Sequence, residues 1–390
     1  MKKTLFLLLT LHLFIGCASI PAPPPHYPTE VLMTQVVSRN DITFNHTDTG
    51  TPTVVGDTVF IGIQEKGLYA VDKNSGDVIW EFGVKNGVES RPTIYDGLIY
   101  FGGNDGYIYC VTMSGSKVWD YYVGAQIWSH PIVHTGIVYF SSADDQLYAL
   151  DAKSGKYIWH FRSPLGRKGL VIRWLASPEI SDHIVYIGFS DGYFYALNRH
   201  DGGLIWQKQL SDKFRFKDID ATAVVDGSNL YVSSYDGKLY SLDKNSGATN
   251  WFLEFGGLHP VTIVDDTLYY AAVSGEVFAI DKRSGKSRWV YKVPTGLPTS
   301  PVTVGYTVTV GGGESNLYGL DRESGEEIWR LETDNGFAGG LAGYDGIVYG
   351  FTTKSFLYGV DPLELRPRMV PKHGGIVGAV RDLPMIRPPK

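Results

Sequence analysis

Short runs of alternating apolar and polar residues recur along most of the chain. Within residues 131–161 the runs "PIVHT", "GIVYFSSA", "DQLYALD" and "KYIWHF" follow one another, each rich in β-branched and aromatic residues. Alternation with a period of two residues is typical of β-strands. No stretch of the sequence keeps the period of an amphipathic helix, so the pattern predicts an all-β protein.

This unit of four predicted strands repeats along the chain. A tryptophan marks the fourth strand of the unit, and successive tryptophans are separated by 39, 40, 47, 45, 38 and 40 residues. A fixed period of about 40 residues is the signature of a repeat architecture such as a β-propeller, in which four strands form one blade. The repeat tryptophans are Trp80, Trp119, Trp159, Trp206, Trp251, Trp289 and Trp329.

The turn before the tryptophan has a recurring sequence. In "ALDAKSGKYIW" (149–159), the carboxylate of Asp151 can cap turn amides and Gly155 can adopt a positive φ. Trp159 follows this glycine by four residues, which sets the indole at a fixed depth in the fourth strand. We interpret these tryptophans as residues that pack between blades rather than as catalytic residues. Loss of one buried indole is expected to cost about 3–5 kcal/mol.

Counting the third strands gives eight units, because each carries one aromatic residue at the same slot. The sequence therefore predicts one eight-bladed β-propeller of four-stranded antiparallel blades over residues 51–361. Unit eight ends after Asp361 without the glycine and tryptophan, as expected where a ring closes. Either residues 31–46 supply its missing strand, or residues 364–370 do so alone. The aromatic slots are Tyr69, Tyr109, Tyr148, Tyr195, Tyr240, Phe278, Tyr318 and Tyr358.

The N-terminal region is predicted to be a signal and a tether. Residues 1–16 join a basic start to a short apolar stretch, and "LFIGC" places Cys17 directly after a small residue. This resembles a bacterial lipoprotein signal, which implies cleavage before Cys17 and a lipid, including palmitate, on that residue. The alternative is an ordinary secretory signal with a chance cysteine. Residues 17–50 then form a lipid-anchored, proline-rich tether with a possible ring-closing strand.

The net charge and the number of cysteines exclude some classes of function. The net charge is −6, and loss of Lys2 and Lys3 with the signal takes it to −8, which argues against nucleic acid as a partner. The only cysteine besides Cys17 is Cys110, which we interpret as a small core residue. The C-terminal segment 362–390 is proline-rich and basic. We expect it to be extended, and either to contact a partner or simply to trail.

Two connections between blades are longer than the others. They read "FRSPLGRKGLVIRWLAS" (161–177) and "QLSDKFRFKDIDA" (209–221), and both run from a fourth strand to a first strand. They should therefore lie side by side on one face of the propeller. Extra loop on a rigid scaffold is often functional, although the two loops could instead plug the central channel. The candidate partner-binding residues are Arg162, Arg167, Lys168, Arg173, Trp174, Phe214 and Arg215.

The motif "ALDxxSGKxxW" resembles the tryptophan-docking motif of the pyrroloquinoline-quinone (PQQ) type β-propeller repeat, over about residues 51–361. A lipoprotein built solely of such repeats is similar to the BamB family of the outer-membrane β-barrel assembly machinery. This resemblance implies a periplasm-facing scaffold, lipid-anchored at the outer membrane and monomeric by itself. Such a scaffold would bind protein partners of an assembly complex as an accessory factor.

Catalysis is not predicted. No set of nucleophile, base and acid stands out, and scattered histidines such as His130 and His259 are interpreted as solvated or turn-packing residues. Quinoprotein dehydrogenases stack PQQ on a disulfide between adjacent cysteines and hold Ca²⁺, and this chain has no such cysteine pair. We expect no cofactor and no metal. The alternatives are a propeller that binds PQQ or another small molecule, and a scaffold of a different envelope complex.

Overall fold

The computed structural model describes residues 49–164, 176–211, 218–235, 237–333 and 335–362 in full, and the backbone of residues 30–35. In these residues, thirty-two strands form eight four-stranded antiparallel sheets, with no α-helix. A hydrophobic cluster spans each junction between neighbouring sheets, and the contact between the first and eighth sheets completes a ring. The predicted eight-bladed β-propeller is confirmed. No helix in the described part of the chain is long and apolar enough to cross a membrane.

The strands follow the chain in blade order, with β1 (Glu30–Gln35) preceding blade one. Blades one to four comprise β2 (Thr53–Val55), β3 (Thr58–Ile63), β4 (Gly67–Asp72), β5 (Val78–Gly83); β6 (Thr93–Tyr95), β7 (Leu98–Gly102), β8 (Tyr107–Thr112), β9 (Lys117–Tyr122); β10 (Ile132–His134), β11 (Ile137–Ser142), β12 (Gln146–Asp151), β13 (Tyr157–Arg162); and β14 (Glu179–Ser181), β15 (Ile184–Gly188), β16 (Tyr193–Asn198), β17 (Leu204–Gln209). Blades five to eight comprise β18 (Val224–Asp226), β19 (Asn229–Ser233), β20 (Leu239–Asp243), β21 (Thr249–Leu253); β22 (Thr262–Val264), β23 (Thr267–Ala271), β24 (Glu276–Asp281), β25 (Ser287–Lys292); β26 (Val302–Val304), β27 (Thr307–Gly311), β28 (Leu317–Asp321), β29 (Glu327–Leu331); and β30 (Ala342–Tyr344), β31 (Ile347–Phe351), β32 (Phe356–Asp361).

The hydrophobic core is divided into eight clusters, one at each junction between neighbouring blades. Between blades two and three, for example, Tyr100 and Cys110 pack with Val138 and Phe140, all essentially inaccessible to solvent. The second and third strands are buried on both faces, whereas the fourth strand at the rim alternates exposed and half-buried residues. Cys110 is a buried free thiol inside this core.

Blade eight takes its fourth strand from the other end of the chain. Strand β1 pairs antiparallel with β32, in a register that runs from Glu30 opposite Asp361 to Gln35 opposite Phe356. The amide of Gly340 also donates to Oγ1 of Thr51 in blade one at 2.9 Å. Of the two ways to close the ring, the structure therefore uses the N-terminal strand. Residues 364–370 lie outside the described residues.

Candidate functional site

The repeat tryptophans join neighbouring blades. In six of the seven, Nε1 donates to a backbone carbonyl in the turn of the next blade, at 2.9–3.2 Å. The turn glycine of that blade lies against the indole: a Cβ on Gly155 would stand 2.7 Å from Cδ2 of Trp119. The donor and acceptor pairs are Trp80 with Met113, Trp119 with Ala152, Trp159 with Arg199, Trp206 with Lys244, Trp251 with Lys282 and Trp289 with Arg322.

Trp329 behaves differently. Its Nε1 is buried and has no hydrogen-bond acceptor. Its indole instead lies over Gly319 of its own blade, where a Cβ would come within 1.9 Å of Cε2. Blade eight has no Ser-Gly turn after Asp361 to receive the indole, which accounts for the difference.

A second donor, which sequence reasoning missed, reinforces five of these junctions. The hydroxyl of Tyr100 in β7 donates to the carbonyl of Ala152 at 3.1 Å, the same oxygen that accepts from Trp119. A tyrosine recurs near the start of the second strand in blades two to six, and this repeat could have indicated the second donor. The equivalent pairs are Tyr139 with Arg199, Tyr186 with Lys244, Tyr231 with Lys282 and Tyr269 with Arg322.

The described ends of the two long connections, after β13 and after β17, lie at the same face of the propeller. Of the seven candidate partner residues, the described part of the chain includes Arg162, which is exposed at the end of β13. The other six lie outside the described residues, so their meeting on one surface stays a prediction. They are Arg167, Lys168, Arg173, Trp174, Phe214 and Arg215.

The base of this face is built on buried carboxylates. Asp191 accepts from the hydroxyls of Ser163 and Tyr195, each at 2.5 Å. Asp145 accepts from the amide and hydroxyl of Ser190 in the neighbouring blade. Because Ser163 directly follows β13 at the start of the first connection, its bond to Asp191 ties that end of the connection to blade four.

The root of the second connection carries two more buried acids. Asp218 and Asp220 are 1% and 7% exposed, and Oδ2 of Asp220 has no hydrogen-bond partner. Desolvation, followed by the charges of Asp218 and Asp145, holds the pKa of Asp220 well above its usual range. A buried carboxyl oxygen without a hydrogen bond lowers the stability of the folded protein, so Asp220 is a candidate for binding a ligand that donates a hydrogen bond.

Asp220 faces the central channel. The channel contains a cavity of about 650 Å³ whose lining includes residues of all eight blades, mostly from the entrances to the first strands. Hydrogen bonds between neighbouring blades hold this lining. The amide of Arg91 donates to Nδ1 of His130 at 3.0 Å, the amide of His130 to Oγ of Ser177 at 2.8 Å, and the amide of Ser177 to Oγ1 of Thr222 at 3.1 Å.

Several ionisable groups in the channel are shifted by burial. Desolvation, with the charge of Arg91, lowers the pKa of His130 to about 3, so the ring is neutral. Because Nδ1 of His130 accepts a hydrogen bond, its proton lies on Nε2. Desolvation also lowers the pKa of His259 to about 4 and raises that of Glu179 to about 7. The two histidines assigned to turns from sequence thus line the channel wall.

The residues do not fit PQQ with its calcium ion. The only cysteine besides Cys17 is Cys110, which is buried in the core between blades two and three rather than in the channel. Within the described ranges, no group of three or more His, Cys, Asp or Glu side chains could hold a metal ion.

Comparison with protein families matches the chain to the model described as outer membrane protein assembly factor BamB. It covers residues 34–112 and 99–291, which is more than half of the chain. The chain belongs to the BamB family. Both long connections fall inside the matched region, so they lie within the BamB-like part of the chain. None of the curated proteins matches in sequence.

Solved structures show the same fold at low identity. BamB from Moraxella catarrhalis is 20% identical with a TM-score of 0.72, over 84% of this chain and 99% of that one. The quinohemoprotein alcohol dehydrogenase from Comamonas testosteroni is 14% identical with a TM-score of 0.67, over 86% of this chain and 77% of that one. A computationally designed protein, Ika8, is 16% identical with a TM-score of 0.68, over 84% and 99%. These likenesses concern the propeller fold alone and do not distinguish a scaffold from an enzyme.

Proposed function

We propose that this protein is a periplasm-facing scaffold, anchored to the outer membrane through lipid on Cys17, that binds other proteins during assembly of outer-membrane β-barrels. The BamB family match is the observation that carries the proposal. The channel chemistry supports a non-enzymatic role, because its residues do not fit the cofactor of the quinoproteins that share the fold.

The partner binds the face formed by the two long connections. Arg162 is exposed there, and the hydrogen bonds of Asp145 and Asp191 give the face a rigid base. The connections add basic and aromatic residues to a chain of acidic net charge. Arginine forms bidentate bonds with carboxylates and aromatic rings supply apolar area, so an acidic loop or an edge strand of an assembly-factor domain is a suitable counterpart.

A double charge reversal tests this face. Arg167→Glu with Arg215→Glu should reduce recovery of the partner from solubilised outer membranes at least tenfold, about 1.4 kcal/mol, while the melting temperature changes little. The matched control is Arg283→Glu with Lys286→Glu, at an exposed turn between third and fourth strands on the opposite face. Identification of the bound proteins separates a β-barrel assembly complex from another envelope complex. Normal recovery by the folded double variant would exclude this face.

The anchor is tested separately. Cys17→Ser should leave the protein soluble or uncleaved, because the residue that receives the lipid is gone. A wild-type protein that fractionates as soluble, with an N-terminus other than Cys17, would contradict lipid anchoring.

The absence of quinoprotein chemistry is tested by assay. After incubation with PQQ and Ca²⁺, dye-linked oxidation of alcohols and sugars should stay at background. Oxidation that requires added PQQ would overturn the non-enzymatic assignment.

A further inference from the structure

The guanidinium of Arg91 and the carboxyl groups of Glu179 and Asp220 line the central channel without pairing with each other. Arg91 makes one side-chain hydrogen bond, from Nε to Oγ1 of Thr53 at 3.2 Å, and desolvation lowers the pKa of its guanidinium. None of the ion pairs found in the described residues includes Arg91, Glu179 or Asp220. Oδ2 of Asp220 has no donor at all. The channel therefore presents a guanidinium and two carboxyl groups without an ionic partner among the described residues, and Glu179 accepts one hydrogen bond, from the backbone of Val225.

The ring keeps these charges apart. Arg91 lies just before the first strand of blade two, Glu179 is the first residue of β14 in blade four, and Asp220 lies just before the first strand of blade five. Hydrogen bonds that link the entrances of blades two to five fix their backbones. Because these residues stand at different blades of a closed ring and form no ion pair, a molecule in the channel that contacts both sides would supply the missing partners.

The cavity suits a small organic molecule. Its volume of about 650 Å³ lies within the range of typical ligand pockets, roughly 300–1,000 Å³. Blades six to eight contribute an apolar wall that includes Val261, Val302 and Leu341. A ligand with two charged ends and an apolar body would contact Arg91, the carboxyl groups and this apolar wall.

A ligand with a single charge would pair with only some of the ionisable groups in the channel. An anion at Arg91 would leave Asp220 unpaired, and an organic cation at Asp220 would leave Arg91 unpaired. A metal ion lacks a sufficient set of ligands among the residues that the structure describes.

We propose that the central channel binds a zwitterion of the amino-acid or short-peptide class, with the ligand carboxylate on Arg91 and its ammonium group on Asp220 and Glu179. Neutral His130, protonated on Nε2, supplies a further donor beside Arg91. This site is separate from the partner-binding face and does not depend on the scaffold function.

Calorimetric titration of the mature protein with trialanine tests the proposal. Four forms are compared: the free peptide, the N-acetylated peptide, the C-terminal amide and the doubly capped peptide. The free peptide should bind, and each single cap should weaken binding at least tenfold because it removes one of the two charges. Equal affinity for all four forms, or no binding of the free peptide at millimolar concentration, would overturn the proposal.

Variants assign each end of the peptide. Arg91→Gln should abolish the preference for the free carboxylate over the amide, while Arg91→Lys should restore part of it. Asp220→Asn should abolish or weaken the preference for the free amine over the acetylated form. Arg283→Gln, an exposed arginine outside the channel, should keep both preferences. If Arg91→Gln does not fold, Arg91→Lys decides: it should show a smaller preference for the free carboxylate than the wild type does, and an unchanged preference would contradict the carboxylate role.

Discussion

The indole of Trp289 in blade six lies against Gly325 in blade seven, where a Cβ would stand 2.5 Å from Cδ2 of the indole. Its Nε1 donates to the carbonyl of Arg322 in the same turn at 3.0 Å. The repeated turn is therefore a socket for the preceding blade: its glycine makes room and its carbonyl accepts the indole proton. This pairing explains why one short sequence recurs along the chain without any catalytic role.

Replacing the indole by a phenyl ring should cost more at Trp289 than at Trp329. Trp289→Phe removes a hydrogen bond worth about 1 kcal/mol and leaves unfilled space. Trp329→Phe leaves similar space but removes a buried N–H that has no acceptor, which offsets part of the loss. Urea unfolding should show the Trp289 variant to be less stable by about 1 kcal/mol. Equal losses would indicate that the Nε1 bond contributes nothing.

The turn glycine can be tested against a glycine of similar backbone conformation. Gly155 and Gly136 have φ values of 69° and 77°, so alanine strains both backbones by about 1 kcal/mol. A Cβ on Gly136 meets nothing within 4 Å, whereas one on Gly155 meets Trp119 at 2.7 Å. Gly155→Ala should therefore lose about 1–3 kcal/mol more than Gly136→Ala in urea unfolding. Similar losses would show that the indole moves aside freely.

The sequence predicted the parts of the fold that repeat. The spacing from Trp80 to Trp329 gave the blades, and alternation within the runs gave their strands. The exception at Trp329 follows from the truncated repeat after Asp361, but its indole position depends on packing against Gly319. The period of the sequence shows only what the blades have in common, so it cannot show that the indole of Trp329 packs differently from the other six.

The ionisable lining of the channel was not predicted, because its residues come from distant parts of the chain. Arg91, Glu179 and Asp220 line one channel only when the ring is closed, and no short motif contains two of them. Asp220 stands in "DID", which resembles an ordinary acidic turn. Burial and the missing hydrogen bond distinguish it, and both are properties of the folded ring.

Stability should fall with rising pH through the titration of Glu179. Desolvation raises its folded pKa from 4.5 to about 7, so the folded state binds the proton more tightly than the unfolded state does. Its contribution is fully present below the unfolded pKa and is lost as pH rises through the folded pKa. Glu179→Gln should therefore flatten the fall in unfolding free energy across this window, measured by urea titration at several pH values.

Glu276 provides a control of opposite sign. Desolvation raises its pKa, but the hydrogen bonds from Lys292 and Ser274, together with the charge of Lys292, outweigh this effect and lower the pKa overall. Glu276→Gln should remove stability that is present above the unfolded pKa and lost in acid. An unchanged pH profile in Glu179→Gln would contradict the channel assignment of that carboxyl.

The closing strand sets a sharp limit on how far the N-terminus can be shortened. A soluble chain that begins at Glu30 keeps all of β1, whereas one that begins at Val36 removes the strand that pairs along β32. The first should melt like the full mature chain. The second exposes β32 as an unpaired edge, so it should melt at a markedly lower temperature and aggregate, and the amides at the edge of blade eight should lose protection from hydrogen exchange. Equal melting temperatures for the two truncated chains would show that three strands are enough to complete blade eight.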